Sequence, residues 1–232
     1  MTDGRTSTGS KTSRTSVLLA GASGLTGHEL QAQWLAGADI GALHVLLRRP
    51  PATAPQDARL HIHVVDFSAL PRLPAASIAC CALGTTIKVA GSQAAFRAVD
   101  FDAVLAFARA AQAAGVRRFA VVSALGASAT SATFYNRVKG EMEAALQGLG
   151  FESLVIARPS LLLGERGTLG QPTRRGELIG AAITRPLGWL MPKAWRPIEA
   201  ASVARALIVA LQQARPGLRV VESGELQTLG AP

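Results

Sequence analysis

The stretch Val17-Leu18-Leu19-Ala20-Gly21-Ala22-Ser23-Gly24-Leu25-Thr26-Gly27 decides the fold that we predict for this chain. An apolar, strand-like run leads into three glycines spaced three residues apart, and a segment with helical spacing of apolar residues follows. Gly21 can take the backbone angles of a tight turn, Gly24 lets phosphate oxygens approach the main chain, and Gly27 lets the helix pack closely. Because the free amides of the helix's first turn face the same point, the stretch predicts a pyrophosphate-binding turn. Its residues would be Gly21, Ser23, Gly24, Leu25, Thr26 and Gly27, and a glycine-rich turn that binds nothing is the alternative.

Predicted strands and helices alternate along the rest of the chain. Apolar runs predict strands at 17–20, 44–47, 60–65, 78–83, 119–123 and 153–157, and helical spacing predicts helices at 25–35, 92–114, 134–149 and 199–212. This order indicates the α/β class, with a Rossmann-type, doubly wound, mostly parallel sheet and helices on both faces. Ligands of such sheets bind beyond the carboxyl ends of the strands. Six residues fall there: Gly21, Arg48, Asp66, Gly84, Ser123 and Pro159.

Length and composition fit one domain. The 232 residues, of which 49% are hydrophobic, can form a single large α/β domain, which we expect over residues 17–232. Residues 1–16 are rich in Ser, Thr and Gly, so we predict a disordered tail there. The tail lacks the apolar core of a secretory signal, and the apolar segments 103–116 and 178–190 are interrupted by Arg109 and Arg185. We therefore expect a cytoplasmic protein without a transmembrane segment.

The cysteines and the composition argue against a disulfide, a metal site and a nucleic-acid-binding surface. Cys80 and Cys81 are neighbours in a predicted strand, so their side chains point to opposite faces and predict buried thiols, not a disulfide or a metal site. The net charge of +9 indicates an anionic cofactor or substrate together with a solvated arginine-rich surface. Nucleic acid is not the expected partner, because an aromatic content of 5% leaves bases little to stack on.

The end of the second strand predicts which dinucleotide binds. An acidic residue there would bind the ribose hydroxyls of NAD, whereas an arginine can pair with the extra phosphate of NADP. This chain has Arg48 and Arg49 at that point, and its nearest acid, Asp39, precedes the strand. The pair favours NADP over NAD, and two solvated arginines are the alternative.

Ser123, Tyr135 and Lys139 are the predicted catalytic residues. Tyr135, the only tyrosine of the chain, lies four residues before Lys139, so one helix face carries both. A nearby ammonium favours the phenolate, which lets Tyr135 exchange a proton with a substrate oxygen. Ser123, at the end of the fifth strand, can hydrogen-bond that oxygen. A tyrosine that only packs against its neighbours is the alternative, and Ser128, Thr130 and Ser131 also lie near Ser123.

Several motifs together resemble one family. The turn at 21–27, Asp66, Ser123, Tyr135-Asn136-Arg137-Val138-Lys139 and Arg158-Pro159 are similar to the short-chain dehydrogenase/reductase superfamily, in its extended or atypical branches. More narrowly, Cys80-Cys81-Ala82-Leu83-Gly84-Thr85-Thr86, residues 135–143 and Arg158-Pro159-Ser160 resemble the Tat-interacting-protein-like group and its bacterial relatives. Those bacterial chains are commonly described as NAD(P)-binding or epimerase-like. The resemblance covers residues 16–212 and is specific for fold and cofactor, not for substrate.

The resemblance assigns further roles to residues. It implies that Asp66 and Phe67 border the adenine, that Leu83, Gly84 and Thr85 border the ribose, that Pro159, Ser160 and Leu162 border the nicotinamide, and that Lys139 also binds ribose hydroxyls. The chain departs from the family at two positions. Asp100 lies near where many members have the asparagine of a proton relay, and His28 lies where arginine is frequent.

These observations predict an NADP-dependent oxidoreductase that acts on a carbonyl or alcohol substrate. One alternative is a nucleotide-sugar epimerase or dehydratase that retains its nicotinamide, and another is a non-catalytic NADP-binding regulator. Residues 164–195 would form a lid over the substrate side, as specificity-setting loops do. Its arginines Arg174, Arg175 and Arg185 suit an acidic or phosphorylated substrate, and a solvated surface is the alternative. Its apolar residues suit a contact with a protein partner, with a second copy of the chain or with a membrane.

Overall fold

The structure, a computed structural model, describes residues 14–53, 55–164, 192 and 195–231. Most of the predicted tail and most of the predicted lid at 164–195 lie outside the described residues. The boundary of the tail needs one correction. Strand β1 begins at Thr15, where the Thr15 amide donates to the Asp39 carbonyl, so residues 15 and 16 belong to the sheet.

The first half of the chain contains the predicted strands, with a helix after the first strand and helices after the fourth. Its elements are β1 (Thr15–Ala20), α1 (Leu25–Ala36), β2 (Ile40–Leu47), β3 (Leu60–Val64), β4 (Ile78–Cys81), α2 (Ile87–Ala90), α3 (Gln93–Arg97), a π-helical turn (Ala98–Ala103) and α4 (Val104–Ala113). The helix predicted at 92–114 is thus interrupted by one turn of π-helix.

The second half completes the sheet. Its elements are β5 (Arg118–Val122), α5 (Phe134–Gln147), β6 (Ser153–Arg158), β7 (Leu162–Leu163), β8 (Ile198–Glu199), α6 (Ala200–Gln212), β9 (Gly217–Glu222) and α7 (Ser223–Leu229). Strand β9 and helix α7 were not predicted. β9 is an edge strand whose residues are mostly exposed or half-buried, so its sequence carries little hydrophobic pattern.

Seven strands form one parallel sheet in the order β3-β2-β1-β4-β5-β6-β9. This order reverses direction between β1 and β4, which is the point where ligands bind in doubly wound sheets. The predicted Rossmann-type α/β fold is therefore confirmed.

The sheet is buried on both faces. Leu18 and Leu19 of β1 are both fully buried although neighbouring strand residues point to opposite faces. On one face the strands pack with residues of α1 and α6, such as Trp34 and Leu207. On the other face they pack with residues of α4 and α5, such as Phe107 and Met142. These two cores hold the strands in place, and a cavity lies at the carboxyl ends of these strands.

Candidate active site

The three glycines of the first turn have different structural surroundings. Gly21 has a φ of +89°, and a Cβ there would lie 2.4 Å from the Ala82 carbonyl carbon of the neighbouring strand end. A Cβ at Gly27 would lie 2.0 Å from the Gly21 oxygen. At Gly24 the nearest atom to such a Cβ is the Gly21 oxygen at 3.4 Å, an ordinary contact. Close backbone packing therefore requires glycine at positions 21 and 27. At Gly24 the absence of a side chain instead leaves open space beside the turn.

The amino end of α1 faces that open space. Gly24 is the N-cap residue and supplies no side-chain cap, and the first turn contains no acidic residue. Thr26 Oγ1 is buried and finds no hydrogen-bond partner among the described residues. Unpaired amides, a helix N-terminus and an unpartnered hydroxyl are groups that a pyrophosphate satisfies. The turn thus fits the phosphate part of a dinucleotide.

A cavity of about 1060 Å³ lies at the carboxyl ends of the strands. Most of the predicted site residues line it: Gly21, Ser23, Gly24, Leu25, Thr26, Arg48, Asp66, Phe67, Leu83, Gly84, Thr85, Ser123, Tyr135, Lys139 and Leu162. The structure therefore brings the glycine turn and the predicted catalytic residues to one cavity.

Four predicted cofactor-binding residues do not line this cavity. Gly27 packs against the turn, and Arg49 is exposed. Pro159 is buried, and its carbonyl accepts a hydrogen bond from the Leu125 amide. The Ser160 hydroxyl lies 3.0 Å from the hydroxyl of Ser223 and also donates to the Arg196 carbonyl, so it joins the segment after β6 to α7.

Ser123 follows β5 and lines the cavity. Its backbone amide donates to the Ala157 carbonyl at 2.7 Å, which fixes the end of β5 against β6. Ser123 is 5% exposed, and its Oγ is buried and has no hydrogen-bond partner among the described residues. A buried hydroxyl without a partner is costly, so it indicates a ligand atom that completes its hydrogen bonding.

Tyr135 and Lys139 stand one turn apart at the start of α5. The Tyr135 ring is half-buried, with its centroid 5.4 Å from that of Phe96 on α3. The Lys139 residue is 3% exposed. Gly140, next in the chain, lets α5 approach the 128–129 segment, because a Cβ there would lie 2.1 Å from the Ser128 carbonyl carbon.

Asp100 forms a buried ion pair with Lys139. Lys139 Nζ lies 2.8 Å from Asp100 Oδ1, and the Thr85 amide donates to Asp100 Oδ2 at 2.8 Å. Burial alone would lower the pKa of Lys139, but the Asp100 carboxylate and the nearby Tyr135 phenol raise it, so the pKa of Lys139 is raised overall. Asp100 was noted in the sequence as a departure from the family, but its pairing with Lys139 was not predicted. An acid among apolar helix residues was the available signal.

Arg48 and Asp66 line the cavity where β2 and β3 end. Asp66 Oδ1 accepts hydrogen bonds from the Ser68 amide at 2.9 Å and the Ser68 hydroxyl at 2.7 Å, and these bonds lower the pKa of the carboxyl group. Arg48 is exposed at the end of β2 and makes no ion pair with the described residues. Asp39 precedes β2 and thus lies at the other edge of the sheet.

The cysteines behave as predicted. Cys80 packs in the core on one face of the sheet and Cys81 in the core on the other, and both thiols are free. Burial raises the pKa of each thiol to about 12. The described residues hold no group of three or more His, Cys, Asp or Glu that could bind a metal. Among the same residues, no helix has the length and apolar character to cross a bilayer.

Comparisons with known sequences identify relatives of this chain. Residues 21–186 match a family described as NAD(P)H-binding. The chain is 32% identical over 209 residues to "Protein FMP52, mitochondrial" of Coccidioides immitis, covering 83% of each protein. It is 34% identical over 202 residues to "Protein HTATIP2" of Rattus norvegicus, covering 83% of this chain and 79% of that protein.

Solved structures share the fold. A UDP-N-acetylglucosamine 4-epimerase from Methanobrevibacter ruminantium M1, in complex with UDP-N-acetylmuramic acid, has a TM-score of 0.69 at 14% identity, covering 90% of this chain and 76% of that one. MoeE5, in complex with UDP-glucose and NAD, has a TM-score of 0.67 at 17% identity, covering 93% of this chain and 81% of that one. At these identities the likeness shows the fold alone.

The relatives correct one prediction and establish the family. The expectation of a cytoplasmic location is wrong, because the FMP52 relatives of Coccidioides immitis, Emericella nidulans and Candida albicans are named as mitochondrial proteins. A missing secretory signal does not distinguish compartments inside the cell. The family match and the two relatives agree with the glycine turn and its cavity. The chain belongs to the NAD(P)H-binding family and is a relative of the HTATIP2 and FMP52 proteins.

Proposed function

We propose that this protein is an NADP-dependent oxidoreductase that reduces a carbonyl compound or oxidises the corresponding alcohol. One observation carries the proposal: Tyr135, Lys139 and Ser123, whose hydroxyl finds no partner among the described residues, line the same cavity as the glycine turn. A cavity that only bound a dinucleotide would have no need of both a buried, unpaired hydroxyl and a phenol. The same three groups suit proton transfer to an oxygen atom.

The described residues also fit the cofactor. Gly24 leaves room above the amino end of α1, and the Thr26 hydroxyl lacks a partner there among the described residues. Leu83, Thr85 and Leu162 line the same cavity. The resemblance implies that Leu83 and Thr85 border the ribose and that Leu162 borders the nicotinamide. NADPH, when bound, supplies the hydride for the carbonyl carbon.

The protein's own residues handle the carbonyl oxygen. Ser123 Oγ–H donates a hydrogen bond to it and fixes its position. Tyr135 Oη gives its proton to the same oxygen, which becomes the alcohol hydroxyl, and takes the proton back in the reverse direction. The Lys139 ammonium stands one helical turn from Tyr135 and has N–H groups left for ribose hydroxyls, since one bonds Asp100.

Replacement of Tyr135 by phenylalanine tests the reaction. Tyr135→Phe keeps the ring and its packing on Phe96 but removes the exchangeable proton. We expect the rate to fall by about 10²- to 10⁴-fold with cofactor affinity unchanged, as for the loss of a positioned proton donor. The assay is single-turnover oxidation of bound NADPH with carbonyl substrates found by a screen. Wild-type turnover in Tyr135→Phe would contradict the assigned role.

The preference for NADP rests on Arg48. Arg48 lines the cavity at the end of β2, whereas its neighbour Arg49 is exposed and does not line it. We expect Arg48→Ala to weaken NADP binding by about 1.5–3 kcal/mol, the cost of a hydrogen bond to a charged group, and to leave NAD binding unchanged. Arg49→Ala is the matched control and should bind NADP nearly as wild type does. Calorimetric titration of the wild type and both variants with NADP and with NAD, at one ionic strength, measures these affinities, and equal losses of NADP affinity in both variants would contradict the assignment.

A second candidate function is an epimerase or dehydratase reaction with a retained nicotinamide. The fold likeness to structures that contain UDP-sugars favours testing it. Net consumption of NADPH distinguishes the two functions, because an epimerase returns its cofactor to the starting state. Mass spectrometry of small molecules released from purified protein would identify a retained dinucleotide or nucleotide sugar. Failure of every substrate would favour the regulatory alternative.

A further inference from the structure

The pair of Asp100 and Lys139 is isolated from solvent. The side chains are 1% and 4% exposed, and their nearest oxygen and nitrogen are 2.8 Å apart. Two charges in such a place interact strongly, because little water screens them. The pair therefore acts on its surroundings as a nearly neutral dipole, and Lys139 does not act there as a free positive charge.

The backbone holds Asp100 at this point from two sides. Asp100 lies in the π-helical turn between α3 and α4, and such turns are frequent at functional sites. The Thr85 amide, at the end of β4, donates to the second carboxylate oxygen. A Cβ on Gly84 would lie 3.4 Å from Asp100 Oδ1 and 3.8 Å from Lys139 Nζ, so the Gly84 backbone lies close to both charged groups. The Thr85 amide and the π-helical turn therefore hold the carboxylate beside the ammonium.

The Asp100–Lys139 pair is the main electrostatic influence on Tyr135, because the other ionisable groups nearby are neutral, hydrogen-bonded, paired or exposed. Cys81, on β4, is a buried thiol whose pKa is raised to about 12 by burial, so it stays neutral. Asp102 is exposed at the cavity wall. Arg97 of α3 pairs with Glu141 of α5, and Glu143 of α5 pairs with Arg158 of β6. Arg137 of α5 donates hydrogen bonds to the backbone carbonyls of Ser131 and Ala132. Arg48 follows β2 and Asp66 follows β3, whereas Asp100 bonds the segment after β4, so β1 separates the two groups of residues.

We propose that Asp100 is a positioning residue that fixes the Lys139 ammonium and offsets most of its charge, so that Tyr135 keeps its proton to a higher pH than a lone lysine would allow. The inference rests on the proposed function, in which Tyr135 exchanges a proton with substrate. Its consequence is that the resting site presents Tyr135 as a proton donor. Such a site is prepared for reduction of a carbonyl, in which the phenol supplies the proton.

The chain offers a direct measurement, because Tyr135 is its only tyrosine. The near-ultraviolet absorbance change of tyrosinate therefore reports the ionisation of this one phenol in the full-length protein, without substrate. Asp100→Asn leaves a side chain of the same shape but removes the negative charge. We expect the midpoint of the phenol titration to fall by about one pH unit, as when an opposite charge acts alone on a nearby group.

Two further variants keep the test decisive. Asp39→Asn makes the same change of charge at an exposed position before β2, on the other edge of the sheet, and should leave the midpoint where it is. The double variant Asp100→Asn with Lys139→Gln removes the whole pair as neutral groups, which proteins commonly tolerate. Its midpoint should lie close to that of the wild type, and this comparison decides the matter if Asp100→Asn alone does not fold.

Each outcome has a stated meaning. A midpoint in Asp100→Asn equal to or above that of the wild type overturns the proposal. The proposal is also overturned if, in both the wild type and Asp100→Asn, the phenol ionises only when the protein unfolds, with unfolding measured by circular dichroism. A double variant whose midpoint rises by about one unit or more also overturns it, because Lys139 would then act as an unbalanced charge. The titration needs no turnover, so failure to find a substrate would count against the proposed function and leave this result unaffected.

Discussion

Substitution of the glycines in the first turn separates cofactor binding from folding. At Gly24, φ is −88° and ψ is 167°, which any residue adopts, and an added methyl group would meet only one atom, at 3.4 Å. Gly24→Ala should therefore cost less than about 1 kcal/mol of stability, the usual scale for a change of N-cap residue. The methyl group would instead occupy the space that phosphate oxygens need beside the amino end of α1.

Gly27→Ala makes the same chemical change three residues away, where its effect should be the reverse. The added methyl group would lie 2.0 Å from the Gly21 oxygen and 2.9 Å from Ala22 Cα, both backbone atoms. Helix α1 must then move away from the turn, at a cost of about 3 kcal/mol or more for such overpacking. That corresponds to a fall in Tm of at least about 6 °C for a domain of this size.

The assay measures NADP affinity by calorimetry and Tm by circular dichroism for both variants. We expect Gly24→Ala to lose at least tenfold in affinity, or about 1.4 kcal/mol, and to keep its Tm within about 4 °C. Full-strength binding by Gly24→Ala would refute the assignment of the turn to the pyrophosphate. An unchanged Tm in Gly27→Ala would refute the packing argument.

Two further predictions concern the histidines of β2 and β3 and the cysteines of β4. Burial lowers the pKa of His44 and of His63 below 6.5, and neighbouring histidine charges lower both further. Below about pH 6.5 the unfolded chain therefore binds more protons than the folded protein, so the stability present above that pH is lost as the pH falls. Chemical denaturation at about pH 7 and about pH 5 should show a smaller loss in His44→Gln than in the wild type or in the exposed control His28→Gln, and equal losses would contradict this. Cys80 and Cys81, both with a pKa of about 12 and at most 1% exposed, should resist thiol reagents in the folded protein and react fully in denaturant. Reaction of either thiol in the folded protein at the rate of a free thiol would show that the strand is not buried as described.

Local patterns in the sequence predicted much of the fold. The apolar runs at 17–20 and 78–83 indicated strands buried on both faces, and the glycine turn indicated how the first strand meets α1. These features depend on residues close together in the chain. The spacing of Tyr135 and Lys139 is also local, because four residues span one helical turn, and both residues line the cavity.

Other features were decided by contacts between distant parts of the chain. The pairing of Asp100 with Lys139 joins residues 39 apart, and it depends on a π-helical turn that no apolar spacing predicts. The edge strand β9 is defined by its pairing with β6, since its own residues are too exposed to carry a pattern.

Tertiary structure also decided which of two neighbouring candidate residues takes part in the site. Arg48 and Arg49 are equivalent in the sequence, but only Arg48 lines the cavity. Gly24 and Gly27 are equivalent by spacing, but only Gly27 touches the backbone of the turn closely. The sequence by itself determined which residue types stand at the strand ends, because strand and helix periods are properties of the local backbone. Which of those side chains meet in one cavity was decided by the order and pairing of the strands, which depend on interactions between residues far apart in the chain.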